Sequence, residues 1–146
     1  MIYYVLDPMC SWCWGFNPAL EMLLEALPPG EKVRYVMGGL APDSTEPMPA
    51  QTREYVREQW RLVSARTGAH FNWDFWERCR PRRSTWPACR AVIAAGLQGE
   101  RNVPGMIRAI QEAYYLQARN PSEREVLIEL AGEIGLDPHR FALDLE

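Results

Sequence analysis

The sequence is poor in several features that mark common classes of protein. Its net charge is only −3, which gives no electrostatic argument for nucleic-acid binding. No apolar run approaches the roughly 18–20 residues of a membrane-spanning helix, so none is predicted. Among sixteen basic residues there is a single lysine, Lys32, and we interpret the excess of arginine as a bias of composition. Glycine-rich phosphate loops, internal repeats and low-complexity tracts are also missing.

Signals for export are lacking as well. The only early apolar stretch, Ile2–Leu6, is too short for a signal peptide, and no basic residues precede it. We therefore expect a cytoplasmic protein, in which structural disulfides are disfavoured and the four cysteines should be catalytic, metal-binding or simply buried. With 146 residues, of which 47% are apolar, the chain is long enough for one globular domain with a core.

The most informative segment that is present is Cys10-Ser11-Trp12-Cys13. It follows a predicted strand that Asp7-Pro8 ends, and it precedes apolar residues at helical spacing. A Cys-x-x-Cys at a strand-to-helix junction is typical of thiol–disulfide redox sites. The start of a helix offers free backbone N–H groups and a partial positive charge, which favour the Cys10 thiolate. Cys13, one turn later, can reach back and close a disulfide.

The redox interpretation assigns distinct roles to the two cysteines. Cys10 should be exposed and should attack a substrate thiol or disulfide, whereas Cys13 should be more buried and should resolve the mixed disulfide. Ser11 and Trp12 set the environment between them, since a hydroxyl can bond a thiolate and an indole can shield it. Pro8 and Trp14 belong to the same environment, and Trp12, Trp14 and Phe16 are candidates for the rim of an apolar substrate groove.

A structural zinc site is the main chemical alternative to a redox pair. Such a site usually takes four ligands, but Cys79 and Cys89 are separated by nine residues, and His70 and His139 have no ligand spacing. No metal is therefore predicted. Cys89, in an apolar helix pattern, is predicted to be buried and Cys79 to be more exposed. A regulatory disulfide between these two stays open.

Two further clusters have a structural and a functional interpretation. The densest basic run, Arg78, Arg80, Arg82 and Arg83, is predicted to be a solvated loop, with a docking patch for an anionic partner such as glutathione as the alternative. Aromatic residues of the later sequence are predicted to pack in a core rather than to line a ligand site. They are Trp60, Phe71, Trp73, Phe75, Trp76 and Trp86.

The order of patterns predicts a strand–helix–strand unit followed by helices. The strands are Ile2–Leu6 and Lys32–Met37, parallel and joined by a helix from about residue 10 or 11 to 27. After a proline-rich stretch, helices are predicted at about 50–67, 73–79, 86–97, 104–118, 122–134 and 138–145. Start signals are Pro87, Pro104, a capping box of Ser122 with Glu125, and Asp137-Pro138. No third strand pattern follows, so a sheet edge should be bare.

Residues 7–16, Asp-Pro-Met-Cys-Ser-Trp-Cys-Trp-Gly-Phe, resemble the active-site segment of DsbA-family thioredoxin-like proteins, most closely of the cytoplasmic FrnE-like branch. Residues 37–40, 71–76 and 87–91 resemble further segments of that branch in the same order. The resemblance implies an α/β fold, a thioredoxin-like βαβ unit with a large all-helical insertion. On that division, 1–40 is the N-terminal half of the thioredoxin-like domain, 41–48 a linker and 49–146 the insertion.

The same resemblance implies the function. Cys10 and Cys13 fall on the family's redox cysteines, which carry out thiol–disulfide exchange on proteins or small disulfides, with glutathione as a candidate co-substrate and no other cofactor. The family pattern continues with further strands that this sequence does not show, so we expect an incomplete thioredoxin fold that self-associates through its bare sheet edge.

Two rival functions stay open at this point. Kappa-class glutathione transferases and 2-hydroxychromene-2-carboxylate isomerases share this architecture, but they typically have serine at the position of Cys10. The retained Cys10 and Cys13 therefore favour redox chemistry over a glutathione-dependent isomerase or transferase. The second rival is a non-catalytic binding or adaptor protein that uses the aromatic-rich helical part.

Overall fold

The chain begins with two parallel strands joined by a helix. The computed structural model describes all 146 residues. Strand β1 (Ile2–Leu6) pairs with β2 (Val33–Met37) in a register that places Ile2 opposite Val33 and Leu6 opposite Met37. Helix α1 (Ser11–Ala26) connects them. The predicted strand–helix–strand unit and its parallel pairing are confirmed, and the sheet has no third strand.

Six further helices make up the rest of the regular structure. They are α2 (Ala50–Thr67), α3 (Phe75–Arg78), α4 (Trp86–Leu97), α5 (Asn102–Tyr115), α6 (Arg124–Glu133) and α7 (Pro138–Asp144). None of the helices combines the length and apolar character needed to cross a bilayer. Helix α5 ends three residues earlier than predicted, because the chain turns out of it through Ala118, which has a positive φ of 51°. Arg119 N–H then bonds back to the carbonyl of Ala113 at 2.9 Å.

Of two helix N-caps predicted from the sequence, the structure confirms one and contradicts the other. Asp137 caps α7 as predicted, because its carboxylate accepts bonds from the N–H groups of His139 and Arg140 at 2.9 and 3.2 Å. The predicted capping box of Ser122 with Glu125 is wrong. The hydroxyl of Ser122 donates instead to the carbonyl of Ser84 at 3.3 Å, and α6 has no side-chain cap. A long-range partner has displaced the local one.

The buried side chains form two clusters. The first joins the end of β1 to α4, α5, α6 and α7, and it includes Leu6, Val92, Ile110, Leu130 and Phe141. Alternate β-strand residues pack against it, among them Tyr4, Tyr35 and Met37, whereas Tyr3, Val5 and Val36 on the opposite face of the sheet are exposed. One face of the sheet is therefore covered by the helices and the other is open.

The second cluster is aromatic and is centred on Trp60 of α2. Its ring is fully buried and lies 4.9–5.8 Å from those of Phe71, Phe75, Trp76, Tyr114 and Tyr115. Most of the predicted aromatic core is thus present as a packed cluster. Trp86 lies elsewhere, half-exposed at the start of α4, where its indole donates to the carbonyl of Gly39 at 3.1 Å. The division into 1–40, 41–48 and 49–146 stays a prediction.

Candidate active site

The two cysteines lie where β1 gives way to α1. Cys10 occupies the N-cap position, in an extended conformation with φ −86° and ψ 118°. Its N–H donates to the carbonyl of Asp7 at 3.0 Å, and its own carbonyl accepts bonds from Cys13 and Trp14 at 3.0 and 3.1 Å. The backbone of the motif is consequently fixed on both sides, with Cys13 one turn above Cys10 on the same helix.

Hydrogen bonds between the two thiols separate their acidities. The Cys13 thiol donates to the Cys10 sulfur, and the backbone N–H groups of Cys13 and Trp12 point at the same atom. These bonds lower the pKa of Cys10 to about 6, although partial burial and the negative charge of Asp7 oppose the change. At neutral pH Cys10 therefore carries a thiolate, the nucleophilic form of cysteine.

The pKa of Cys13 is displaced the other way. Donation to Cys10 is the largest cause and partial burial the second, so the pKa of Cys13 lies far above its ordinary value. The hydroxyl of Tyr4 bonds to the Cys13 sulfur and opposes this rise. Both cysteines are free and both are half-buried. The expected contrast in burial is therefore wrong, and hydrogen bonding is what distinguishes the two thiols.

The residues predicted to surround the pair are distributed on two sides of it. Pro8 and Ser11 are buried. The indole of Trp12 is 42% exposed and donates to Gln59 of α2 at 3.0 Å. Trp14, by contrast, is only 8% exposed. Its ring stacks on Tyr115 at 5.5 Å, and its N–H donates to the carbonyl of His70 at 3.0 Å. Trp14 thus anchors α1 to the aromatic cluster and does not form a rim.

An acidic residue that the sequence interpretation passed over lies directly beside the pair. Asp7, 3% exposed, places its carboxylate against the chain after β2 and the start of α4. One oxygen accepts a bond from the N–H of Met9, and the other accepts bonds from the N–H of Leu40 and the hydroxyl of Thr85. The available signal was its position, since it is a charged residue directly after the first strand and three residues before the first cysteine of the motif.

The remaining candidates lie away from the pair or apart from one another. The Cys79 thiol donates to the carbonyl of Ala118 at 3.2 Å and packs against the aromatic cluster, whereas Cys89 is buried beside the carboxylate of Asp7. Burial raises the pKa of both thiols, that of Cys89 to about 12. His70 and His139 are exposed, and no group of three or more His, Cys, Asp or Glu side chains is arranged to hold a metal ion.

The basic run is divided between solvent and structure. Arg78, Arg80 and Arg83 are exposed, in agreement with a solvated loop. Arg82 is half-buried, donates to the carbonyl of Ser122 and lies 3.6 Å from the carboxylate of Glu123. Arg82 therefore attaches the loop to the chain that enters α6.

Comparison with known proteins identifies the family. The sequence profile described as Thioredoxin matches residues 3–146, nearly the whole chain. The chain belongs to this family. Among solved thioredoxin-like structures, it is similar to a candidate protein disulfide isomerase from Nitrosomonas europaea. The two share 30% identity and a TM-score of 0.85 over 99% of this chain and 69% of that one.

Two other relatives carry functional names. The cytosolic disulfide reductase DsbM from Pseudomonas aeruginosa is 32% identical, with a TM-score of 0.81 over 98% of this chain and 67% of DsbM. DsbM has also been solved with GSH. The ClpXP adapter protein SpxH from Halalkalibacterium halodurans is 29% identical over 99% of this chain and 48% of SpxH. The chain thus spans about half the length of the curated relatives it matches. The predicted thioredoxin-like fold and DsbA-family relationship are confirmed.

Proposed function

We propose that the chain is a thiol–disulfide oxidoreductase in which Cys10 is the nucleophile and Cys13 the resolving cysteine. The observation that carries this proposal is the placement of Cys10 at the N-cap of α1 with Cys13 one turn later, which directs backbone N–H groups and the Cys13 thiol at the Cys10 sulfur. It stabilises one thiolate and keeps the second thiol protonated until it is needed. Membership of the thioredoxin family supports the same chemistry.

The proposed reaction has two exchange steps. In the first, the Cys10 thiolate attacks one sulfur of a substrate disulfide. An S–S bond forms to Cys10 while the substrate's S–S bond breaks, and the second substrate sulfur leaves as a thiolate that takes up a proton. In the second, Cys13 loses its proton and attacks the Cys10 sulfur. The Cys10–Cys13 disulfide forms, the first substrate sulfur leaves and is protonated, and two electrons have passed to the substrate.

The Cys10–Cys13 disulfide must then be reduced again by a thiol. Glutathione is the proposed co-substrate for this step. Two glutathione thiols would give up two electrons and two protons to the Cys10–Cys13 disulfide and become one glutathione disulfide. The solved complex of DsbM with GSH supports this choice. DsbM is described as cytosolic, which supports a cytoplasmic location, and disulfides of proteins or small molecules are the proposed substrates. No cofactor beyond the cysteine pair takes part.

A glutathione redox titration tests the proposal. The full chain is equilibrated in buffers of defined GSH to glutathione-disulfide ratio, alkylated, and analysed by mass spectrometry. We expect one reversible two-electron step that maps to Cys10 and Cys13. Cys10→Ser and Cys13→Ser should each abolish it, and Cys79→Ser, which alters a thiol outside the site, should leave it unchanged. A Cys10–Cys13 pair that never closes would overturn the proposal.

A second candidate function is that of an adapter, which the SpxH relatives favour. An adapter binds its partner through a surface and needs no redox cycle. The test is binding of purified ClpX to the wild type and to the Cys10→Ser/Cys13→Ser double variant. Equal binding by both would support the adapter function, whereas absence of binding by the wild type would eliminate it.

We also propose that the chain self-associates through its sheet. Strand β1 pairs only with β2, and Tyr3, Val5 and Val36 leave an apolar face exposed beside the free edge. Multi-angle light scattering after gel filtration should show a dimer or larger species. A monodisperse monomer at tens of micromolar would contradict this proposal.

A further inference from the structure

The buried carboxylate of Asp7 is held by groups from several parts of the chain. One oxygen accepts the N–H of Met9 at 2.8 Å, and the other accepts the N–H of Leu40 at 2.9 Å and the hydroxyl of Thr85 at 2.6 Å. The thiol of Cys89 donates to the same second oxygen at 3.6 Å. All four of these donors are neutral groups.

No cation accompanies this charge. Asp7 takes part in no ion pair, whereas the neighbouring Asp43, at the surface, is paired with Arg90 at 2.8 Å. A buried charge without a counter-ion acts on its surroundings more strongly than an exposed one, because little water screens it. The carboxylate is thus stabilised by neutral donors alone, and no opposite charge cancels its negative electrostatic field.

The groups that receive this field are the ones around the redox pair. Cys10, whose N–H donates to the Asp7 carbonyl at 3.0 Å, faces it from the start of α1. Cys89 faces it from α4, and Tyr114 and Tyr115 face it from α5. Burial raises the pKa of both tyrosines and of Cys89, so all three are neutral near pH 7. The Cys10 thiolate is therefore the charge that Asp7 opposes.

We propose that Asp7 is a positioning residue that sets the reduction potential of the Cys10–Cys13 pair. The inference rests on the proposed redox function and extends it. In the reduced pair the Cys10 thiolate is repelled by the carboxylate, whereas the disulfide has no charge to repel. Asp7 consequently destabilises the reduced pair and leaves the disulfide unaffected. The pair is therefore a weaker oxidant than it would be if only the helix N-terminus and the hydrogen bonds acted on Cys10.

The same contacts connect the potential to the helical part of the chain. Thr85, immediately before α4, provides the shortest bond to the carboxylate. This donor disperses part of the negative charge and fixes its distance from Cys10. A change at Thr85 should therefore alter the chemistry of Cys10 without contact between the two side chains.

The test compares two substitutions in the full chain. Asp7→Asn removes the charge and keeps the size of the side chain, so the pKa of Cys10 should fall by about one unit. The equilibrium constant for oxidation of glutathione by the pair should rise about tenfold, which corresponds to about 30 mV. Thr85→Val removes a donor and keeps the charge, so both quantities should move in the opposite direction. The pKa is measured from the pH profile of Cys10 alkylation, and the equilibrium constant from glutathione titration.

The outcomes separate the inference from the proposed function. A wild-type pair that never closes overturns the function before any variant is made. A pair that closes with the same pKa and potential in folded Asp7→Asn, or shifts alike in both variants, overturns only the inference and leaves Asp7 a structural residue. If Asp7→Asn does not fold, the test rests on the pKa of Cys10 in Thr85→Val. A raised pKa supports the inference, and a lowered or unchanged pKa overturns it. Asp43→Asn, at an exposed carboxylate, should change neither quantity.

Discussion

The thiol of Cys13 donates its hydrogen to the sulfur of Cys10, so two cysteines of one motif are held in different protonation states. The arrangement is asymmetric because the N-terminal backbone N–H groups of α1 point at the first sulfur only. The proposed nucleophile and the proposed resolving thiol are thereby distinguished by local geometry, although their burial is similar.

The first prediction concerns the pH dependence of alkylation. Since the pKa of Cys10 is lowered to about 6, its thiolate should persist above that pH and be lost as the pH falls through it. Cys10 should react with iodoacetamide half-maximally near pH 6, and Cys13 should stay unlabelled at neutral pH. Peptide mapping by mass spectrometry measures both. Equal labelling at neutral pH, or faster labelling of Cys13, would reverse the assigned roles.

Removal of the donor thiol should raise the pKa of Cys10. In Cys13→Ala the largest cause of the low pKa is gone, and we expect a rise of about one unit or more in the alkylation profile. Cys13→Ser is the matched control, because its hydroxyl can still donate to the Cys10 sulfur, and its profile should stay closer to that of the wild type. Identical profiles for the alanine and serine variants would show that the donated hydrogen is unimportant.

The hydroxyl of Tyr4 should accelerate the resolving step. It bonds to the Cys13 sulfur and so favours the thiolate that must attack the mixed disulfide. Tyr4→Phe keeps the ring beside Phe16 and Tyr35 but removes the hydroxyl, and loss of about 1 kcal/mol should slow resolution roughly fivefold. Quenched-flow detection of the mixed disulfide measures the rate. Tyr35→Phe, on the neighbouring strand, serves as control and should not slow it.

Gly15 should be intolerant of a side chain because α1 and α2 approach closely there. A Cβ at this position would lie 2.7 Å from a methyl carbon of Val63 and 2.9 Å from the hydroxyl oxygen of Thr67. Val63 is fully buried and β-branched, so it cannot easily move aside. Gly15→Ala should lower the free energy of unfolding by about 1–3 kcal/mol, as measured by urea denaturation.

The matched control is Gly132→Ala in α6, where a Cβ would meet nothing within 4 Å. There alanine should stabilise the helix by about 0.5–1 kcal/mol, since glycine is the weaker helix former. If both substitutions changed stability by the same amount and sign, the close approach of α1 and α2 at Gly15 would have no energetic effect.

Most features that depend on nearby residues, and the parallel pairing of β1 with β2, were predicted from the sequence, whereas the distant contacts of the candidate site were not. Strands, helices and the Asp137 cap follow from apolar periodicity and breakers within a few residues. The partners of Asp7, by contrast, are 33 and 78 residues away, at Leu40 and Thr85. Nothing in the spacing of those residues indicates that they meet.

Trp14 illustrates the same limit within the motif itself. Its position beside Cys13 predicted that it would line a substrate groove. Its ring instead stacks on Tyr115 and is buried. The direction of a side chain on a helix depends on what the opposite surface provides, and that surface comes from α5, about a hundred residues later.

The backbone bonds around Cys10 have a consequence for the speed of exchange. The N–H of Cys10 is held by Asp7 and its carbonyl by Cys13 and Trp14, so the main chain of the motif is fixed before any exchange begins. The conformational entropy cost of bringing the two cysteines together is therefore met on folding, and the proposed closure of the Cys10–Cys13 disulfide should proceed as an intramolecular step at high effective concentration.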